Sequence, residues 1–328
     1  MKLLFSSFMI LLLAHTQFHF VSPNALPNNI KTQAQFIVKS FENQIHYPIN
    51  ADLILSSGFL AFARQAGVIA AIEDSNMCNI QRVVGTSSGS LAGSLLASGL
   101  PADVISAELS KQKPIKLLSP VFNPRRGLFS MRGVIKHLRT ILPKDFNDLP
   151  IPLAVGVIDY DTREFDLIDS GDLPEAVAAS CAIPKVFQPV MAGKGGNRRL
   201  YADGGVTDRT GLDTYKTWKK GITPTDDSRE SSRERKCIVH LVDSSSKYEA
   251  ANTYEGSNSR LFIRTPRANA NFFTLKDYET QKLVAYRVAM KTMRNKTTDS
   301  FWDRSRETGY VVDNNQVYIR KRGRLMPL

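Results

Sequence analysis

Gly85-Thr86-Ser87-Ser88-Gly89 is the stretch of this chain best suited to covalent chemistry. A serine attacks well when a base stands beside it and its backbone is held at a sharp strand-to-helix turn. Small residues two positions either side make room for that turn. Ser87 has Gly85 and Gly89 at those positions, whereas Ser88 is one residue out of phase. The alternative is a chance glycine- and serine-rich turn. The flanks favour the nucleophile. An apolar run, Ile80 to Val84, predicts a strand before it. Ser88 to Ser98, with Ala92, Gly93, Ser94 and Ala97 as small packing residues, predicts a helix after it, closed by Gly99 and Pro101.

The base is harder to find. Of the five histidines, His15 and His19 lie in the N-terminal leader, His46 precedes the first strand and His137 sits in a basic helix. His240 falls inside the apolar stretch Ile238 to Val242, where a satisfied core histidine is the plainer reading. A buried carboxylate is the other option, since burial raises its pKa toward neutrality. Asp203 in Tyr201-Ala202-Asp203-Gly204-Gly205 is that candidate, because Gly204 and Gly205 allow a sharp turn and a close neighbour. Taken alone, Asp-Gly is an ordinary turn.

The elements around these residues alternate. Short strands are expected at Asp52 to Leu55 and Leu153 to Asp159, a hairpin arm at Glu164 to Ile168, and a strand at Ile238 to Val242. Helices are expected near Ala61 to Glu73, Leu173 to Ser180 and Lys276 to Met293. That order predicts an α/β sandwich around a largely parallel sheet. The last helix is amphipathic and reads more simply as packed on its own domain than as lipid-facing.

Together, Gly85-Thr86-Ser87-Ser88-Gly89 and Asp203-Gly204-Gly205 resemble the patatin-like phospholipases. Ala179-Ser180-Cys181-Ala182-Ile183-Pro184 with Val186-Phe187-Gln188-Pro189-Val190 resembles that family's approach to its Asp-Gly-Gly. Leu153 to Leu173 and Gln65-Ala66-Gly67-Val68 add further matches, so the resemblance spans about residues 51 to 215. It implies a three-layer α/β/α sandwich around a mainly parallel sheet. It also implies a Ser87-Asp203 dyad without histidine, no metal or other cofactor, and acyl-lipid esters as substrate: phospholipids, lysophospholipids, galactolipids or neutral glycerides. One departure stands out. The family's glycine-rich loop after the first strand aligns with Ser57-Gly58-Phe59-Leu60-Ala61-Phe62, which keeps only Gly58 and puts Ala61 where a basic residue is usual. The backbone amides of Gly58 and Phe59 are the expected oxyanion donors, in a hole that is remodelled, weakened or lost.

Composition sets the outer limits. Of 328 residues, 42% are hydrophobic and 23% charged, which excludes collagen-like, low-complexity and fully disordered chains. Cys78, Cys181 and Cys237 make neither a disulfide framework nor a zinc spacing. Residues 1–25, with Lys2 before the apolar run Leu3 to Leu13, read as a signal peptide or signal anchor, so the expected destination is the secretory pathway or another endomembrane-derived organelle. A linker is expected at 26–50, the catalytic core at 51–243 with a loop insertion at 221–236, and a basic C-terminal extension with one amphipathic helix at 244–328. Asn295-Lys296-Thr297 is a weak glycosylation signal. The net charge is +12, and the region from Arg260 onward holds 15 Lys and Arg against 6 Asp and Glu. That basic region is expected to remain solvated, with contact to anionic lipid as the weaker alternative. No nucleic-acid motif accompanies it. Three function classes follow, in order of support. They are a lipid acyl hydrolase at a membrane surface, a catalytically weakened patatin-like lipid-binding protein, and a histidine-dependent esterase using His240.

Overall fold

The structure is a computed structural model. It describes residues 48–111, 114–221, 236–243 and 260–294, and the backbone of 309–313, 316–321 and 324–327. The expected leader, almost all of the expected linker, most of the 221–236 insertion and the Asn295 site lie outside the described residues.

In chain order the elements are β1 (Ile49–Leu55), α1 (Phe62–Ser75), β2 (Cys78–Thr86), α2 (Ser88–Ala97), α3 (Ala102–Lys111), β3 (Ser119–Pro120), β4 (Phe129–Ser130), α4 (Arg132–Leu138), β5 (Leu153–Asp159), β6 (Phe165–Ile168), α5 (Leu173–Ser180), β7 (Val190–Ala192), β8 (Arg199–Asp203), α6 (Leu212–Gly221), β9 (Lys236–Val242), β10 (Arg260–Thr265), α7 (Tyr278–Arg294), β11 (Gly309–Asp313), β12 (Gln316–Lys321) and β13 (Arg324–Pro327). The main sheet runs β10-β9-β1-β2-β5-β8-β7, with β6 also on β5. β10, β9, β1, β2 and β5 are parallel neighbours, and β6, β8 and β7 complete the sheet antiparallel.

Both faces of the central strands are buried, which is why they read as unbroken apolar runs. Leu53, Leu55, Val83, Val155 and Ile238 point into a large core shared with α1, α2, α3, α5 and α7. The alternate residues Ile54, Val84, Ala154 and Val239 face the other way, against Leu212 and Tyr215 of α6. The result is the expected α/β/α sandwich around a mainly parallel sheet.

Two expected boundaries shift. β1 starts at Ile49, so the strand takes the last two residues assigned to the linker. The sheet also continues past residue 243, because β10 pairs with β9 from Arg260↔Cys237 to Thr265↔Val242. Burial alternates along β10, with Leu261, Ile263 and Thr265 buried between half-buried Arg260, Phe262 and Arg264, inside the stretch assigned to an extension. α7 joins the core as well. A Cβ on Gly67 would come within 2.2 Å of the Lys282 carbonyl oxygen, so α1 and α7 are nearly in backbone contact. Arg64 Nη1 donates to the Gln281 carbonyl at 2.8 Å, and Ala285, Val288, Ala289 and Met293 are buried. The apolar stripe of α7 therefore packs on its own domain.

Candidate active site

The register of β5 brings the two candidate residues together. Gly156 pairs with Thr86 of β2 on one edge and Leu167 of β6 on the other. Val157 pairs with Asp166 of β6 and with Asp203 of β8. β2 and β8 therefore share one edge of β5, arriving from opposite directions. β2 leaves that edge at Thr86, β8 ends on it at Asp203, and Ser87 turns off where the strands abut.

Ser87 has φ 55° and ψ −120°, a left-handed conformation unusual for a residue with a side chain. Its surroundings hold it there. Its N–H donates to Ser180 Oγ at 2.8 Å, and Ser180 Oγ in turn donates to the Gly156 carbonyl at 2.6 Å. The Ser87 carbonyl accepts from Ser90 Oγ at 2.7 Å and from Cys181 Sγ at 3.4 Å. The glycines are steric requirements. A Cβ on Gly89 would lie 2.1 Å from the Leu55 carbonyl oxygen, and one on Gly85 would lie 2.4 Å from that of Gly89.

Asp203 is 4% exposed. Its Oδ1 accepts the Gly205 N–H at 2.8 Å, and the Ser87 hydroxyl is the other donor that favours its ionised form. Burial raises its pKa from 3.8 to about 6, against the opposing pull of those two donors. At neutral pH it is thus a largely ionised base, poised near the pH at which it would work. Gly204 packs on the backbone of Gly156, where a Cβ would come within 2.8 Å. A Cβ on Gly205 would lie 2.5 Å from the Ser57 side chain. Ser88, the out-of-phase neighbour, is buried with no hydrogen-bond partner for its hydroxyl.

The loop after β1 lies on the same cavity. Phe59, Leu60, Ser87 and Ser88 all line a space of about 130 Å³ whose remaining walls are mostly apolar, with Leu91, Leu95, Met131 and Phe187 among them. Glu108 and His137 are its other polar side chains. The Phe59 ring meets Phe272 edge-on at 5.2 Å. Both Phe59 and Phe62 face this cavity, so the bulk that replaces glycine forms part of its wall. Gly58 is tightly enclosed, since a Cβ there would lie 2.8 Å from that of Ala61 and 3.0 Å from Val242 Cγ1. Leu60 takes φ 50°. The N–H groups of Gly58 and Phe59 meet no backbone acceptor among the described residues.

Sequence reasoning missed the brace of this loop, Arg209. Its Nη2 donates to the Ser57 carbonyl at 2.8 Å and to the Val242 carbonyl, and its Nε donates to Ser57 Oγ at 3.4 Å. Its own carbonyl accepts the Ser57 N–H at 2.7 Å. A cation six residues after Asp203 was the available signal. Ser180 was visible only as part of a longer motif.

His240 is elsewhere and fully occupied. Nδ1 lies 2.7 Å from Gln65 Oε1 and Nε2 lies 2.8 Å from Thr265 Oγ1. Burial, with Arg64 and Arg209 nearby, depresses its pKa to about 3, so the ring is neutral. Among the described residues, no group of three or more His, Cys, Asp or Glu side chains is placed to hold a metal ion, and no helix is long and apolar enough to cross a membrane.

A strained serine at a strand-to-helix elbow, beside a buried carboxylate at the end of an antiparallel neighbour, defines a serine-carboxylate site on an α/β sheet. Residues 53–214 match the family model described as patatin-like phospholipase, and the chain carries a domain of that family. Uncharacterized NTE family proteins of Mycobacterium bovis and Mycobacterium tuberculosis are 28% identical over 159 residues, or 48% of this chain and 42% of theirs. The chain thus spans about two fifths of the length of the curated relatives it matches. Among solved structures, VipD from Legionella pneumophila is 13% identical, with 75% of this chain and 66% of that one covered at a TM-score of 0.43. ExoU in complex with SpcU from Pseudomonas aeruginosa is 12% identical, with 76% and 52% covered at a TM-score of 0.40.

Proposed function

We propose that this protein is a lipid acyl hydrolase of the phospholipase A, lysophospholipase or galactolipase type, acting at a membrane surface through Ser87 and Asp203. The observation that carries the reading is the placement of Ser87, at the end of β2, beside the buried Asp203 carboxylate at the end of β8. As Ser87 Oγ attacks the ester carbonyl, Asp203 takes its proton. The Gly58 and Phe59 amides hold the developing oxyanion. Asp203 returns the proton to the departing alcohol, leaving Ser87 acylated. Water, deprotonated by Asp203, then cleaves the acyl-enzyme and restores the serine. The apolar cavity beside Ser87 suits a fatty-acyl chain. The chemistry calls for no metal, cofactor or nucleic acid. The N-terminal apolar run supports delivery to the secretory route.

The replaced glycine loop favours a second reading, a catalytically weakened protein that binds lipid. Labelling with a fluorophosphonate separates the two. Active hydrolase labels, and Ser87→Ala abolishes the label. A folded wild type that does not label leaves the lipid-binding reading. A label that survives Asp203→Asn and disappears in His240→Ala would return the histidine-dependent esterase.

A further inference from the structure

Between Glu108 and Asp145 the chain carries nine Lys and Arg and not one Asp or Glu. Two of these cations are committed, Lys111 to Glu108 and Arg139 to Asp172 and Glu175. Lys116, Arg125, Arg126, Arg132 and Lys136 are exposed and make no ion pair among the described residues.

This segment also builds the rim of the cavity. Leu117 and Leu118 line it, and the hairpin of β3 and β4 follows directly. The hairpin is anchored at its stem. Leu128 N and Phe129 N lie 2.9 and 3.0 Å from the Val186 carbonyl, Gln188 N–H donates to the Phe129 carbonyl at 2.9 Å, and the Phe129 ring lies 6.4 Å from that of Phe187. Its tip is shaped by Asn123, whose side chain accepts the Arg125 N–H at 3.3 Å. That turn leaves Phe122 at 110% exposure and Leu128 at 54%, next to Arg125 and Arg126. Residues 272–273 add two rings beside it. Phe272 lines the cavity and accepts the Ile115 N–H on its carbonyl at 3.0 Å, while its neighbour Phe273 is 68% exposed. Phe59 lines the cavity and is itself 45% exposed, so the cavity reaches the surface there.

Exposed aromatics beside unpaired guanidinium groups suit an interface where acyl chains meet negative head groups. Rings enter the boundary, and cations stay at head-group level. A water-soluble acidic partner would use the charges and leave Phe122 without purpose. We infer that the β3–β4 hairpin, with Phe122, Arg125 and Arg126 at its tip, docks the cavity mouth onto an anionic phospholipid bilayer. The inference deepens the lipid-hydrolase reading and names the surface that presents the substrate.

The test is co-sedimentation of the full chain carrying Ser87→Ala, so that vesicles are not consumed. Phosphatidylcholine vesicles are compared with vesicles also containing phosphatidylglycerol. Binding is expected to rise with phosphatidylglycerol and to fall with added salt. Arg125→Gln with Arg126→Gln is expected to weaken it about 25-fold, at roughly fivefold per cation lost. Phe122→Asp is expected to weaken it on both vesicle types. Replacing Lys321, Arg322 and Arg324 with Gln should leave it unchanged. Equal binding to both vesicle types overturns the proposal, as does loss through the 321–324 variant alone. Stronger, Arg125- and Arg126-dependent binding to RNA also overturns it. In the Ser87 background, hydrolysis of a soluble short-chain ester reads the active site separately, and the tip variants should retain it. If wild type fails on that ester while anion-dependent docking holds, the hydrolase reading fails and the docking surface stands.

Discussion

The elbow at Ser87 and the loop at Ser57–Ala61 face the same cavity, yet they differ in how much their side chains are constrained. At the elbow, an added Cβ at Gly85 or Gly89 would fall within 2.4 Å or less of a carbonyl oxygen. In the loop, Phe59, which replaces one family glycine, turns onto Phe272 and the cavity, whereas Ser57, which replaces another, stays buried against Arg209. Gly58, the glycine that is kept, is enclosed by Ala61 and Val242. Glycine is thus required where backbone meets backbone or a packed wall. Where the chain faces open space, glycine can be replaced and the loop shape held by another group, here Arg209. If this is right, the loop is remodelled with its amides in place.

The elbow should be the less forgiving of the two. Asp203→Asn is expected to lower kcat about 10⁶-fold, the scale seen when a serine nucleophile loses its proton acceptor. Wild-type hydrolysis should rise with pH through about 6, because the carboxylate must be ionised to accept the proton. The same substitution should stabilise the fold at pH 7. Burial holds the native pKa above the unfolded 3.8, so this group's contribution is present below about 4 and lost as pH climbs through about 6. Asn removes that loss, worth at most about 3 kcal/mol. Thermal melts of both proteins at pH 5 and pH 8 check the sign. A variant less stable at pH 8 would mean Asp203 is not the strained base described.

That pairing was legible in the sequence because its signals are local. A glycine-flanked serine between a strand and a helix, and an Asp-Gly-Gly after a strand, are short patterns fixed by steric need. The strand Ile80 to Val84 and the helix Ser88 to Ser98 on either side of Ser87 were equally plain, whereas α3 and the β3–β4 hairpin were not read. The loop brace was not legible. Arg209 acts on carbonyls of Ser57 and Val242, far off in the chain, and nothing in its neighbours marks it. β10 was hidden for a related reason. Its partner strand β9 is reached only across a long polar stretch, which draws a boundary where the sheet has none.

Arg209 tests the loop directly. Arg209→Lys keeps the charge but loses the fork that serves two carbonyls and the Ser57 hydroxyl at once. Loosening the amides of Gly58 and Phe59 is expected to cost about 10- to 100-fold in kcat, near the lower end of losing an oxyanion donor. KM should move far less, and the pH at half-maximal rate should stay near that of wild type, because Asp203 is untouched. A shift in the pH profile with kcat preserved would show that Arg209 serves the base instead of the loop.

A smaller effect is expected at Phe59, the side chain that departs most from the family pattern. Phe59→Gly removes an edge-on ring contact at 5.2 Å with Phe272, worth about 0.5–1.5 kcal/mol. The rate on a short-chain ester should change less than about fivefold, while KM for a long acyl chain rises by up to about tenfold. A large gain in kcat on the short ester would mean that Phe59 obstructs the hole, and the loop would then be eroded, not remodelled.

The smallest effect is expected one residue from the nucleophile. Ser88→Ala should change kcat less than about twofold, since the Ser88 hydroxyl is buried and makes no hydrogen bond. Removing an unsatisfied hydroxyl should even raise stability by about 1 kcal/mol, readable as a higher melting temperature. The value of this variant lies in its contrast with Ser87→Ala. The two serines share an elbow and a cavity wall, and only Ser87 reaches the carboxylate. Equal loss in both variants would mean that the hydroxyls act together, and the positive φ at Ser87 would then serve packing instead of aiming the nucleophile.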